Sequence, residues 1–205
     1  MGYTLLWSRI RELDKEAFAK VVEDVREIFS RAQDMGLRLA GPTGKGKPEL
    51  GPETIAFNGS ATCGHRYRDL GQPWASPNAS GVEEVEPPYD PREDPWLSGP
   101  YLHTRVCGGV CSADSFILDR KYMVRDWERP QSPHVYACHC ETRFKPYDLI
   151  VAATLVRLKE HLGDAVSIDA ENPENAFEDA KRFCRELFGW AEHFNIERPG
   201  TEIVR

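Results

Sequence analysis

The stretch HVYACHCETRFKPYDLIVAATLVRLKEHLG, His134 to Gly163, decides the fold. Val135 to Thr142 is rich in β-favouring side chains. Period-two alternation puts Tyr136, Cys138, Cys140 and Thr142 on one face and Val135, Ala137, His139 and Glu141 on the other. Pro146 disfavours helix at Lys145, and from Tyr147 the run LIVAATLV is apolar almost all round before narrowing to Val151, Leu155, Leu158 and Leu162. This predicts a strand feeding a helix whose first half is buried, with Gly163 at its C-terminal cap. Such a helix needs a sizeable core, so the remaining elements should pack around it.

Upstream, Tyr3, Leu5 and Trp7 alternate with Thr4, Leu6 and Ser8, giving a first strand from Tyr3 to Arg9. Asp14 is an N-cap, with Leu13 and Phe18 at the two positions of a hydrophobic staple. Phe18, Val21, Val22, Val25, Ile28 (or Phe29) and Ala32 then recur at helical spacing up to Gly36. Short strands are expected at Leu37–Ala40 and Glu53–Phe57, the latter closed by a tight turn at Asn58-Gly59. Ser115–Arg120 and Ala165–Asp169 are further strands, with Val166 and Ile168 inward. A last helix should start at Asn172 with Pro173 in its first position, burying Ala176, Ala180, Phe183, Cys184, Leu187 and Ala191. Strands and helices are mixed without strict βαβ alternation. The expected class is a single α+β domain over residues 1–205, with a largely antiparallel sheet and helices packed on one face.

Residues 71–111 interrupt this pattern as a proline-rich, acidic, cysteine-containing insertion. Between Gln72 and Tyr101 fall nearly half of the 15 prolines and the run EEVEPPYDPRED. A loop of that length within a compact domain is functional, disordered or pinned by something. Trp74, Tyr89, Trp96 and Tyr101 could pin it to the core, or could form an edge for a protein partner.

With 40% hydrophobic and 29% charged residues, the composition is that of a soluble globular protein. No stretch looks like a signal peptide or a membrane span, so a cytoplasmic location is expected. A net charge of −7 argues against non-specific binding to a phosphate backbone.

Six cysteines in such a chain point to thiols or metal ligands rather than a disulfide framework. Cys63 and His65 lie two apart; His103, Cys107 and Cys111 follow at intervals of four; His134, Cys138, His139 and Cys140 form a third group. Zinc takes four soft or borderline ligands in a tetrahedron, and Gly108-Gly109 would let Cys107 and Cys111 approach one ion. The ligand set to expect is Cys63, Cys107, Cys111 and one of Cys138 or His65, a structural zinc pinning the insertion to the sheet. A disulfide or redox pair and inert buried thiols are the alternatives.

Catalysis would instead use Cys138 or Cys140 as nucleophile. His139 points to the opposite strand face, so His134 or His65 would have to serve as base. Asp164, Asp169 and Glu171 cluster at one strand end, where solvated loop charges are the simpler reading. GPTGKGKP places Gly41, Gly46 and Lys47 at phosphate-loop spacing, but Pro48 replaces the required hydroxyl and ELGP replaces the helix. Arg143 and Lys145 near a helix N-terminus could meet an anion, and Asp148 suits the first helical turn.

The early amphipathic helix, IAFNG, SFILDR and KPYDLIVAATLVRLKEHLGDAVSID together resemble small bacterial and phage-type α+β proteins of unknown function. The resemblance covers most of the chain outside residues 71–111 and implies neither an activity nor a functional residue. Two functions stand as expectations. One is a soluble binding or accessory protein acting through protein contacts at the acidic aromatic loop, with a structural zinc. The other is a small metal- or cysteine-dependent enzyme with its site near Cys63, Cys107, Cys111 and Cys138.

Overall fold

A computed structural model of the chain describes residues 4–63, 105, 110–124, 134–170 and 177–189. Its described elements run β1 (Thr4–Ile10), α1 (Lys15–Asp34), β2 (Leu39–Ala40), β3 (Glu49–Leu50), β4 (Thr54–Gly59), β5 (Phe116–Asp119), β6 (Val135–Glu141), α2 (Asp148–Leu162), β7 (Val166–Ala170) and α3 (Glu178–Phe188). The class is α+β, and every described strand pair is antiparallel.

The strands divide into two sheets. One has the order β6-β1-β7; in the other, β4 pairs with β2 and β3 along one side and with β5 on the other. Alternation sets which side chains meet. Leu5, Trp7 and Arg9 stand opposite Cys140, Cys138 and Tyr136 on β6, and Trp7 and Arg9 stand opposite Ile168 and Val166 on β7. On the second sheet, Ile55 and Phe57 pair with Leu118 and Phe116. Aromatic rings join the two layers, Trp7 to Phe116 at 5.4 Å, Phe116 to Phe57 at 5.0 Å and Phe57 to Phe29 of α1 at 5.0 Å. Such pairs add directional contact to the area they bury.

Helix α2 lies at the centre. Every residue from Asp148 to Leu158 is buried, as its nearly uniform apolarity requires, and α1, α3 and β7 pack around it. Helix α1 buries the stripe Phe18, Val21, Val22, Val25, Ile28, Phe29 and Ala32, and Asp14 caps it by accepting from the Ala17 N–H at 2.8 Å. At the far end of α2, Gly163 has a positive φ of 50°, and a single 3₁₀ turn leads into β7.

The sheets are joined where β1 ends. Glu12 bridges to Lys121, Leu13 N–H donates to the Arg120 carbonyl at 2.9 Å and Tyr122 N–H to that of Arg11 at 2.7 Å. Arg9 holds this corner. Its buried guanidinium donates to the carbonyls of Ile10, Arg11, Asp119 and Arg120, and Tyr122 lies against it. Arg9 thus lies on the same face of β1 as Leu5 and Trp7.

One local expectation is corrected. Asn58-Gly59 is not a hairpin turn but the end of β4, paired with Leu39 and Ala40. The Asn58 side chain is spent on Pro42, Gly59 and Ala113, and a Cβ on Gly59 would overlap the Cys111 carbonyl, so glycine is there for close approach rather than for turning. The turn instead falls after β3, where Gly51 N–H donates to Thr54 O at 2.9 Å. The described part of helix α3 begins at Glu178 and is closed by Gly189 in the left-handed conformation, and Ala191 lies outside the described residues. Asn172, Pro173 and Ala176 lie outside the described residues.

Candidate functional site

The segments that end at Cys63 and begin at Val110 are hydrogen-bonded to each other. Cys111 N–H donates to the Ser60 carbonyl at 3.1 Å, and Ala61 N–H donates to that of Gly44 at 2.8 Å. Close packing of Gly59 on the Cys111 backbone fixes the approach. Cys63 and Cys111 are both buried, each 1% exposed, and flank most of the insertion. Zinc sites are commonly assembled from cysteines delivered by separate segments.

Cys138 stands elsewhere, half-buried on β6 opposite Trp7. Among the described residues no three His, Cys, Asp or Glu side chains gather as a metal group, so Cys63, Cys111 and Cys138 do not form one. His65, Cys107 and His103 lie outside the described residues, as do Trp74, Tyr89, Trp96 and Tyr101.

A second polar centre, not foreseen from the sequence, surrounds the start of α2. Asp148 is 1% exposed. Thr142 Oγ1 donates to its Oδ1 at 2.5 Å, while Arg105 donates through Nε at 3.2 Å and pairs through a terminal nitrogen at 3.1 Å with Oδ2. The other arm of Arg105 reaches Asp179 in the first turn of α3 at 2.9 Å. Burial pushes the Asp148 carboxyl above its ordinary range, opposed by Arg105 and Thr142. Arg105 belongs to the insertion and is itself 5% exposed. Nothing in YLHTRVCGG marks that arginine as buried, because its partners lie 43 and 74 residues away.

The catalytic candidates fare poorly in this setting. Cys140 is fully buried; burial pushes its thiol up to about 12, and its Sγ donates to the Asp114 carbonyl at 3.6 Å. Tyr147 shares that carbonyl at 2.6 Å, and burial likewise raises its hydroxyl far above the ordinary value. A thiol held protonated is a poor nucleophile. His139 is exposed on the opposite face of β6, as alternation required, and His134 is exposed. Asp164 is exposed, Asp169 is half-buried and Glu171 lies outside the described residues. Arg143 pairs with Glu141 at 3.3 Å rather than standing ready for an anion.

The glycine-rich loop is a closed turn. Gly41 and Gly44 N–H groups donate to the loop's own Gly46 and Gly41 carbonyls at 3.3 and 2.8 Å, and β3 rather than a helix follows. Those two amides are therefore not available to cradle a phosphate.

At the other end of α2, Asp24 of α1 accepts from Arg157 Nε at 2.6 Å and lies 2.7 Å from His161 Nε2. His161 also borders an open groove of about 760 Å³ between the start of α1 and the end of α2, lined by Ile10, Leu13 and Leu162 with Glu12, Lys15 and Arg120. Glu12 and Arg120 of that groove are paired with each other at 3.0 Å. Among the described residues no helix is long and apolar enough to cross a membrane. Compared with protein-family models, with curated proteins and with solved structures, the chain matches none.

Proposed function

We propose that this is a soluble, cytoplasmic binding or accessory protein that acts through protein contacts, its α+β core serving as a platform for the insertion. The observation that carries this reading is a pair of buried cysteines. Cys63 and Cys111, both 1% exposed, flank most of the insertion on hydrogen-bonded segments. We assign a structural zinc to Cys63, Cys107 and Cys111 with His65 as fourth ligand, since Cys63, Cys111 and Cys138 do not gather as a metal group among the described residues. Three thiolates and an imidazole make a closed tetrahedral set with no position left for substrate. Burial of Cys140, with its thiol pushed up to about 12, further disfavours a cysteine-dependent enzyme. The acidic aromatic run from Glu83 to Trp96 is the proposed contact surface, and its charge favours a basic protein over nucleic acid.

The test is the metal content of protein purified without added metal or histidine tag. Near-stoichiometric zinc, lost in Cys63→Ser and in Cys111→Ser, supports the site. Absence of metal, with all six thiols titrating on unfolding, overturns it. The contact surface is tested with a lysine- and arginine-rich peptide titrated at physiological salt. Binding should weaken when Glu83, Glu84 and Glu86 are replaced by Gln, and an unchanged affinity would remove the surface from the proposal.

A further inference from the structure

We propose that α3 is a latched element, held on α2 at its N-terminal end by Arg105 and released when that guanidinium is withdrawn. Asp148 and Asp179 stand in the first turns of α2 and α3, and Arg105 bonds both, at 3.1 and 2.9 Å. Among the described residues no other cation is bonded to either carboxylate. Without Arg105, two acidic side chains converge at the helix junction, one of them fully buried. Like charges so placed repel, and the cheaper relief is movement of the element whose carboxylate is nearer solvent. Asp179 is 29% exposed and Asp148 is 1% exposed, so the moving element is α3.

The rest of α3 permits such motion. Its fully buried side chains are Ala180, Phe183 and Cys184, with Phe177 at its N-cap and the half-buried Leu187 and Phe188 beside them, and its contacts with α1 are few beside those with α2. A short peripheral helix packed mainly on one neighbour opens locally at lower cost than the core beneath it. The latch rests on the reading that the insertion is fastened to the core, because Arg105 lies in the insertion between Cys63 and Cys111. A partner that engages the insertion and draws on Arg105 would be reported at α3, on the far side of α2's first turn.

Cys184 provides the readout, being fully buried beneath α3 with its Sγ donating to the Ala153 carbonyl at 3.7 Å. Its labelling by iodoacetamide, followed peptide by peptide, should be slow in the native protein. In Arg105→Met the rate should rise about tenfold or more, while α1 amides between Val22 and Ile28 keep their protection from hydrogen exchange. Asp179→Asn, a change at a part-exposed site that leaves the Arg105 and Asp148 pair intact, should raise it by about threefold and serves if Arg105→Met does not fold. Unchanged Cys184 labelling in the folded variants would overturn the latch. So would loss of α1 protection in step with Cys184 in Asp179→Asn, since α3 would then have no separate opening. Neither readout involves the metal, so failure of the zinc assignment and failure of the latch are seen independently.

Discussion

The two ends of α2 carry the same pair of groups in opposite circumstances. At the N-terminal end Arg105 meets Asp148 within the protein interior; at the C-terminal end Arg157 meets Asp24 near the surface, with Asp24 18% exposed. Burial penalises the charged carboxylate at both. At Asp148 it prevails over the arginine and threonine, and the carboxyl is raised; at Asp24 the hydrogen bonds from His161 and Arg157 outweigh it, and the carboxyl is lowered. Burial and hydrogen bonding thus shift the two carboxylates in opposite directions.

The largest effect separating the ends should come from Arg105→Met. It leaves Asp148 buried without its cation, which costs roughly 3–5 kcal/mol when one partner of a buried pair is removed. Urea unfolding at pH 7 measures this. The loss should shrink as the pH is lowered and Asp148 takes up a proton. Arg157→Met should cost about 1–2 kcal/mol, because Asp24 keeps His161 and access to water while the Phe188 ring, 4.4 Å from the guanidinium, keeps an apolar neighbour. Equal losses at the two sites would erase the distinction.

Much of the frame around these ends is legible in the sequence. Alternation grouped Leu5 with Trp7 on β1 and Tyr136 with Cys138 and Cys140 on β6 without telling which face is inner, and helical spacing found the α1 stripe, because burial and local geometry share one period there. Asp14 was readable as a cap since its partner is three residues away. What escaped has no local period. Strand β3 is two residues long and is defined by its partner β4, Gly59 is dictated by a backbone that arrives 52 residues later, and Arg105 is defined by carboxylates on two helices. The cysteine clusters were visible as types and spacings, but which of them share a place depends on the topology that brings residues 60 and 111 together.

Two smaller effects sharpen the contrast. Asp148→Asn should cost about 1–2 kcal/mol at pH 7, less than Arg105→Met, since the raised carboxyl already favours a neutral group and Arg105 retains Asp179. A raised carboxyl contributes stability below its unfolded pKa, and that contribution is lost as the pH rises through its folded value. Replacing it by Asn should therefore make stability less sensitive to pH above about 4. Asp24 has the opposite sign. Its depressed carboxyl adds stability above the unfolded value of about 4, lost as the pH falls through the folded one. Asp24→Asn should cost about 1 kcal/mol at pH 7 and close to nothing at about pH 2, a difference read from urea midpoints at the two pH values.

Arg105 ties the insertion to the start of α2 through a charge pair with Asp148 whose two members are coupled. A double-mutant cycle of Arg105→Met with Asp148→Asn, followed by urea unfolding at pH 7, tests this most directly. The predicted result is a double variant more stable than the sum of the single losses implies, by about 2 kcal/mol or more, because removing the carboxylate relieves the unpaired charge that Arg105→Met leaves behind. Additive losses, within about 0.5 kcal/mol, would mean that Arg105 and Asp148 act independently and would contradict it.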